Sequence, residues 1–129
     1  MPDRHIALTT LVVRDYDEAI AFYRDKAGFA LIEDTPLGGG KRWVVVAPAA
    51  GGAALLLARA EGEAQRSRIG DQTGGRVGFF LTTVDIADDY ARMRAAGVAF
   101  AEEPRAEPYG TVAVFVDPFG NRWDLIEPR

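Results

Sequence analysis

Gly110 to Glu127 reads GTVAVFVDPFGNRWDLIE, two strand-like runs around a turn. Val112, Val114 and Val116 alternate with smaller or aromatic neighbours, the period of a pleated strand. Asp117-Pro118-Phe119-Gly120-Asn121 supplies the turn, because Pro presets φ at an early turn position and Gly or Asn accepts φ > 0. The return run places Arg122, Asp124 and Ile126 on one face and Trp123 on the other. A carboxylate at position 124, inside an otherwise apolar hairpin, raises the question of what it faces.

Working outward, the same order of elements occurs twice. Ile6 to Val13 is an aliphatic and threonine run, predicted as a strand buried on both faces. Asp15 and Glu18 resemble a capping box and open a helix over Asp15 to Ala27, with Gly28 as its stop. Short strands are predicted over Phe29 to Glu33, Arg42 to Ala47 and Ala53 to Ala58, with a turn at Pro36 to Gly40. Glu61 to Gly75 is polar and punctuated by glycine, which marks a linker with a helical turn near Ala64 to Ile69. The order then restarts with a strand at Val77 to Thr82, a helix capped by Asp85 and stopped at Gly97, and a strand at Val98 to Ala101. A loop with two prolines over Glu102 to Tyr109 leads into the closing hairpin. Ile20 and Tyr90, Tyr23 and Met93, Ala47-Pro48 and Asp117-Pro118, and Leu55 and Leu125 correspond at an offset close to 70. The expected organisation is one domain over 1–129, with module one at 1–60, a linker at 61–75 and module two at 76–129. Neither copy alone buries a core well.

Bulk properties narrow the function. The net charge of −4 disfavours a nucleic-acid partner, since phosphate neutralisation needs clustered cations. The absence of cysteine excludes disulfides, thiolate metal sites and thiol nucleophiles. Met1 to His5 shows no signal-peptide pattern, and Val44 to Ala58 is interrupted and too short for a membrane span, so a cytoplasmic protein with no membrane partner is expected.

The run Val12-Val13-Arg14-Asp15-Tyr16-Asp17-Glu18-Ala19-Ile20-Ala21-Phe22-Tyr23, with Gly28-Phe29, Ala95-Ala96-Gly97-Val98 and Asp117 to Trp123, resembles the vicinal oxygen chelate superfamily. That superfamily includes glyoxalase I, extradiol dioxygenases, and bleomycin- and fosfomycin-resistance proteins. The resemblance covers nearly the whole chain. It implies an α+β fold of two βαβββ modules packed as one domain, a half-open curved sheet around a cleft, and a homodimer. It also implies four metal-ligand positions, which carry over here to Leu8, Ala54, Gly78 and Asp124. Three of these offer no side-chain donor, and a transition metal needs about three protein ligands. No metal and no cofactor are therefore expected. His5 is three residues from the ligand position and on the other side of the strand.

Other motifs carry less. Gly38-Gly39-Gly40-Lys41 is not a phosphate loop, because position 35 is Thr, no Ser or Thr follows Lys41 and a strand comes next. Ser67, the single serine, lies in the linker. Alternation places Gly78, Phe80 and Thr82 on the Asp124 face, with Phe79 on the helix side. The ligand-binding candidates are Thr10, Trp43, Arg76, Phe80, Tyr109 and Asp124. Asp124 is also the best catalytic candidate, against a structural alternative in which it pairs with Arg76 or Arg122. The preferred reading is metal-free binding of a small molecule in an apolar cleft. A glyoxalase-like lyase or isomerase, or another enzyme using acid–base chemistry at Asp124, is the alternative, and a module serving only assembly is a third.

Overall fold

A computed structural model describes residues 2–129. The chain divides into two compact units, Met1–Arg68 and Ile69–Arg129, each built around one open four-stranded mixed sheet. In the first unit β1 (Leu8–Val13) leads to α1 (Tyr16–Ile20), then β2 (Ala30–Gly38), β3 (Lys41–Ala47), β4 (Ala54–Arg59) and a short α2 (Gly62–Arg66). The strands lie in the order β1-β4-β3-β2, with β1 and β4 parallel and the other pairs antiparallel. The second unit repeats this with β5 (Phe79–Thr82), α3 (Ile86–Ala95), β6 (Ala99–Glu107), β7 (Gly110–Val116) and β8 (Arg122–Pro128), ordered β5-β8-β7-β6. This is the α+β, twice-repeated βαβββ architecture expected from the sequence.

Caps set both helices. Asp15 accepts from the Glu18 amide at 2.8 Å, and Asp85 accepts from the Asp88 amide at 3.1 Å. Only half of the expected capping box forms, because the Glu18 carboxylate turns to Arg14 at 2.7 Å instead of back to Asp15. The expected single α-helix over Asp15 to Ala27 also changes character. From Ala21 to Lys26 it widens to π geometry, with the Ala27 amide donating to the Phe22 carbonyl at 2.9 Å. The wider turn accompanies burial of two successive aromatics, Phe22 and Tyr23, whose rings meet edge to face at 4.9 Å.

Three strands depart from expectation. The first begins at Leu8 and is open to solvent at Thr9 and Thr10, since β1 is an edge strand. The predicted loop at Glu102 to Tyr109 is for the most part strand β6, which runs through Pro104, and β2 likewise runs through Pro36. Both are outer strands with register shifts near the proline, where a missing N–H breaks no interior ladder.

The core of the second unit is a row of aromatics crossing the sheet on its helix side. Phe79, Trp123, Phe115 and Phe100 are register neighbours on β5, β8, β7 and β6. Their centroids are 4.8, 5.5 and 5.9 Å apart, and Tyr90 of α3 closes the row at 4.6 Å from Phe100. The turn at 117–121 is held by buried Asp117. Its Oδ1 accepts from the amides of Phe119 (2.9 Å) and Asn121 (2.8 Å), and its Oδ2 accepts from Asn121 Nδ2 at 2.8 Å.

Candidate functional site

The face of each sheet away from its helix is read as a site where it opens; in the second unit it is closed at Val114, 3% exposed, and open at Phe80. In the second unit a single register row on that face runs Phe80, Asp124, Val114, Glu102 across β5, β8, β7 and β6. Phe80 is 64% exposed and presents its ring on this face. Asp124 beside it is half-buried and has no hydrogen-bond or ion-pair partner among the described residues. Burial pushes its carboxyl above the usual carboxylate range, the nearby Arg105 charge opposes the rise, and Glu102 adds to it.

The expected pairing of Asp124 with Arg76 or Arg122 does not form. The cation that acts on it is Arg105, which is itself committed to Glu102 and, at 2.9 Å, to Glu107. Glu102 and Arg105 lie in the part of β6 for which the sequence predicts a loop, and nothing local in the sequence brings this charge cluster to Asp124.

The equivalent row in the first unit is Thr10, Leu56, Val45, Glu33. Comparing the rows corrects the offset of 70. Thr10 matches Phe80 at that offset, as Asp15 matches Asp85, but Leu56 rather than Ala54 stands where Asp124 stands. Leu8 faces Ala54 in register, whereas the Gly78 amide donates to the Arg122 carbonyl and Asp124 pairs with Phe80. The four carried-over metal positions therefore do not sit at equivalent register positions in the two units. Whether Ala54 or Leu56 is set against Asp124, Asp124 is the one carboxylate or imidazole at these positions, and no three His, Cys, Asp or Glu converge among the described residues. The residues do not fit a transition metal at these positions.

The remaining candidates fall in different places. Thr10 and Trp43 line a cavity of about 280 Å³ in the first unit, together with Tyr16, Arg42, Leu56 and Arg59. Arg76 lines a separate cavity of about 50 Å³ in the second unit, beside Gly70, Gly78, Asn121 and Arg122. Tyr109 is 55% exposed at the β6–β7 turn. Phe80 and Asp124 are direct neighbours in register, and Arg76 and Tyr109 do not join them in that row.

With this geometry in place, the comparisons with known proteins identify the class. Residues 5–125 match the Glyoxalase/Bleomycin resistance protein/Dioxygenase superfamily, and the chain belongs to that family. An uncharacterized protein of Shewanella frigidimarina is 54% identical over 125 residues, covering 95% of this chain and 90% of the relative. The crystal structure of TnmS3, an antibiotic binding protein from Streptomyces sp. CB03234, is 33% identical with a TM-score of 0.81, covering 100% of this chain and 99% of that one. A glyoxalase/bleomycin resistance protein from the same Streptomyces is 33% identical with a TM-score of 0.75, covering 95% and 100%. No helix among the described residues is long and apolar enough to cross a membrane.

Proposed function

We propose that the chain binds a small organic molecule without a metal, and that the open face of the second unit's sheet is part of the site. The observation that carries this reading is the register pairing of exposed Phe80 with half-buried Asp124, which has no hydrogen-bond or ion-pair partner among the described residues. An exposed ring offers apolar area, and a desolvated carboxylate without a partner is costly until a cation meets it. A ligand with an aromatic or alicyclic body and an amine matches both groups. The likeness to an antibiotic binding protein supports small-molecule binding. Arg76 and Tyr109 are further proposed contacts in the second unit, and Thr10 and Trp43 are proposed contacts of a separate small-molecule site, the cavity of the first unit. The homodimer belongs to the same proposal, supported by the family and by exposed Ile6, Ile32 and Val84. Sedimentation at micromolar concentration is expected to give about twice the 14.0 kDa chain mass, and a monomer alone contradicts it.

The upward shift of the Asp124 carboxyl favours a second reading, a lyase or isomerase that uses Asp124 as an acid or base. A thermal-shift screen of amines and metabolites, with and without chelator, separates the two. Stabilisation by organic amines in chelator supports binding, and turnover that Asp124→Asn abolishes supports the enzyme. Phe80→Ala is expected to weaken the best ligand by about 1–3 kcal/mol with little loss of stability. Unfolding with unchanged residual affinity would make Phe80 a core residue.

A further inference from the structure

The cavity of about 280 Å³ in the first unit is shaped by charge as well as by rings. Tyr16 is buried at the start of α1, and its hydroxyl accepts from the Arg42 backbone amide at 3.1 Å. Two guanidinium carbons, those of Arg42 and Arg59, lie 5.1 Å from its ring centroid. The two arginines are otherwise unlike. Arg42 is held by two carboxylates, donating to Asp34 at 2.7 and 3.0 Å and to Asp17 at 2.9 Å. Arg59 has no carboxylate partner among the described residues, although it is half-buried and lines the cavity.

We infer that this cavity takes an aromatic monocarboxylate, with Arg59 holding the carboxylate and Trp43 walling the ring. A guanidinium fork matches a carboxylate in two parallel hydrogen bonds, and Arg59 arrives already stacked on Tyr16, so little rotamer freedom is lost on binding. Trp43, Leu56, Leu57 and Ala58 make much of the remaining lining apolar. The volume lies at the small end of ligand sites, which suits one or two fused rings. One charge on the ligand is favoured over two. Lys41 adds a cation to the lining, but Glu61 stands among the same residues and repels a dianion. This deepens the small-molecule reading with a second, separate site in the first unit, built from residues other than that reading's central pair.

The test is calorimetric titration of the full chain with 2-naphthoate, 2-naphthamide and 2-naphthyl phosphate, repeated on Arg59→Gln, Arg59→Lys and Phe80→Ala. Binding of naphthoate is expected. The neutral amide should bind at least about tenfold more weakly, Arg59→Gln should lose the same factor, and Arg59→Lys should recover part of it, on the scale of one lost charged hydrogen-bond pair. Phe80→Ala should leave naphthoate unchanged. Quenching of Trp43 fluorescence in a Trp123→Phe chain gives an independent readout at the cavity wall. Equal binding of acid and amide, no effect of Arg59→Gln, or no heat with naphthoate overturns the proposal. Tighter binding of the phosphate overturns the monocarboxylate assignment. Loss of naphthoate binding in Phe80→Ala but not in Arg59→Gln also overturns it, while leaving the second unit's face as the ligand site.

Discussion

Replacing Gly70 by Ala tests how the turn at 117–121 is held against the rest of the second unit. Gly70 has φ +74°, and a Cβ built on it falls 1.9 Å from the Phe119 carbonyl oxygen and 3.0 Å from the Phe119 carbonyl carbon. Two costs add. Left-handed φ for a residue with a Cβ costs about 1–2 kcal/mol. Relieving the clash requires separating two backbones by about 1 Å or more, and one of them is the turn fixed by the three Asp117 hydrogen bonds. Overpacking of that kind costs about 1–3 kcal/mol. The expected loss is therefore about 2–5 kcal/mol. Gly74→Ala is the matched control, since Gly74 lies in the same segment at φ +69° with no atom within 4 Å of the added Cβ. It should show the backbone cost alone, about 1–2 kcal/mol. Urea unfolding followed by Trp123 fluorescence gives both values. If Gly70→Ala costs no more than Gly74→Ala, within about 0.5 kcal/mol, Gly70 is not packed on the Phe119 carbonyl and this part of the structure is wrong.

Two further outcomes follow from the site and its supports. Asp117→Ala leaves the buried turn without its acceptor for the Phe119 and Asn121 amides and should cost about 2–4 kcal/mol by the same unfolding measurement, whereas a loss below about 1 kcal/mol would mean the turn is held by other bonds. Asp124→Asn should stabilise the protein at neutral pH. The folded carboxyl titrates above its unfolded value of 3.8, so the wild type loses stability as pH rises from there through the folded pKa, and the variant escapes that loss. The two stability curves, measured by urea unfolding from pH 3 to pH 8, should converge at the acid end; a variant less stable than wild type at pH 7 refutes the desolvated, partnerless Asp124.

Much of the fold is written in local chemistry. Asp15 and Asp85 as caps, Gly28 and Gly97 as stops, and Asp117 to Asn121 as a turn each act within a few residues, so the sequence displays them directly. The alternation of Phe79 with Phe80 and of Trp123 with Asp124 also reads correctly, because a strand's period is independent of its partners. What stayed hidden depends on the neighbouring strand. Pro104 and Pro36 signal a loop unless the strand is known to lie at an edge. The correspondence of Asp124 with Leu56, two residues from Ala54, follows from β-ladder register and leaves no mark in either module alone. Arg59 looks like any other arginine until Tyr16, 43 positions earlier, is seen beneath it and Asp34 and Asp17 are seen bound to Arg42 instead.

The most direct test of the central claim is titration of the strongest amine ligand from the thermal-shift screen into protein stripped of divalent ions, with Phe80→Ala and Asp124→Asn measured beside the wild type. Metal-free binding on the second unit's open face predicts that stripping leaves affinity unchanged, that each substitution weakens it at least about tenfold, and that elemental analysis finds no stoichiometric transition metal. Binding that disappears on chelation and returns with one divalent ion, or that ignores both substitutions, would contradict it.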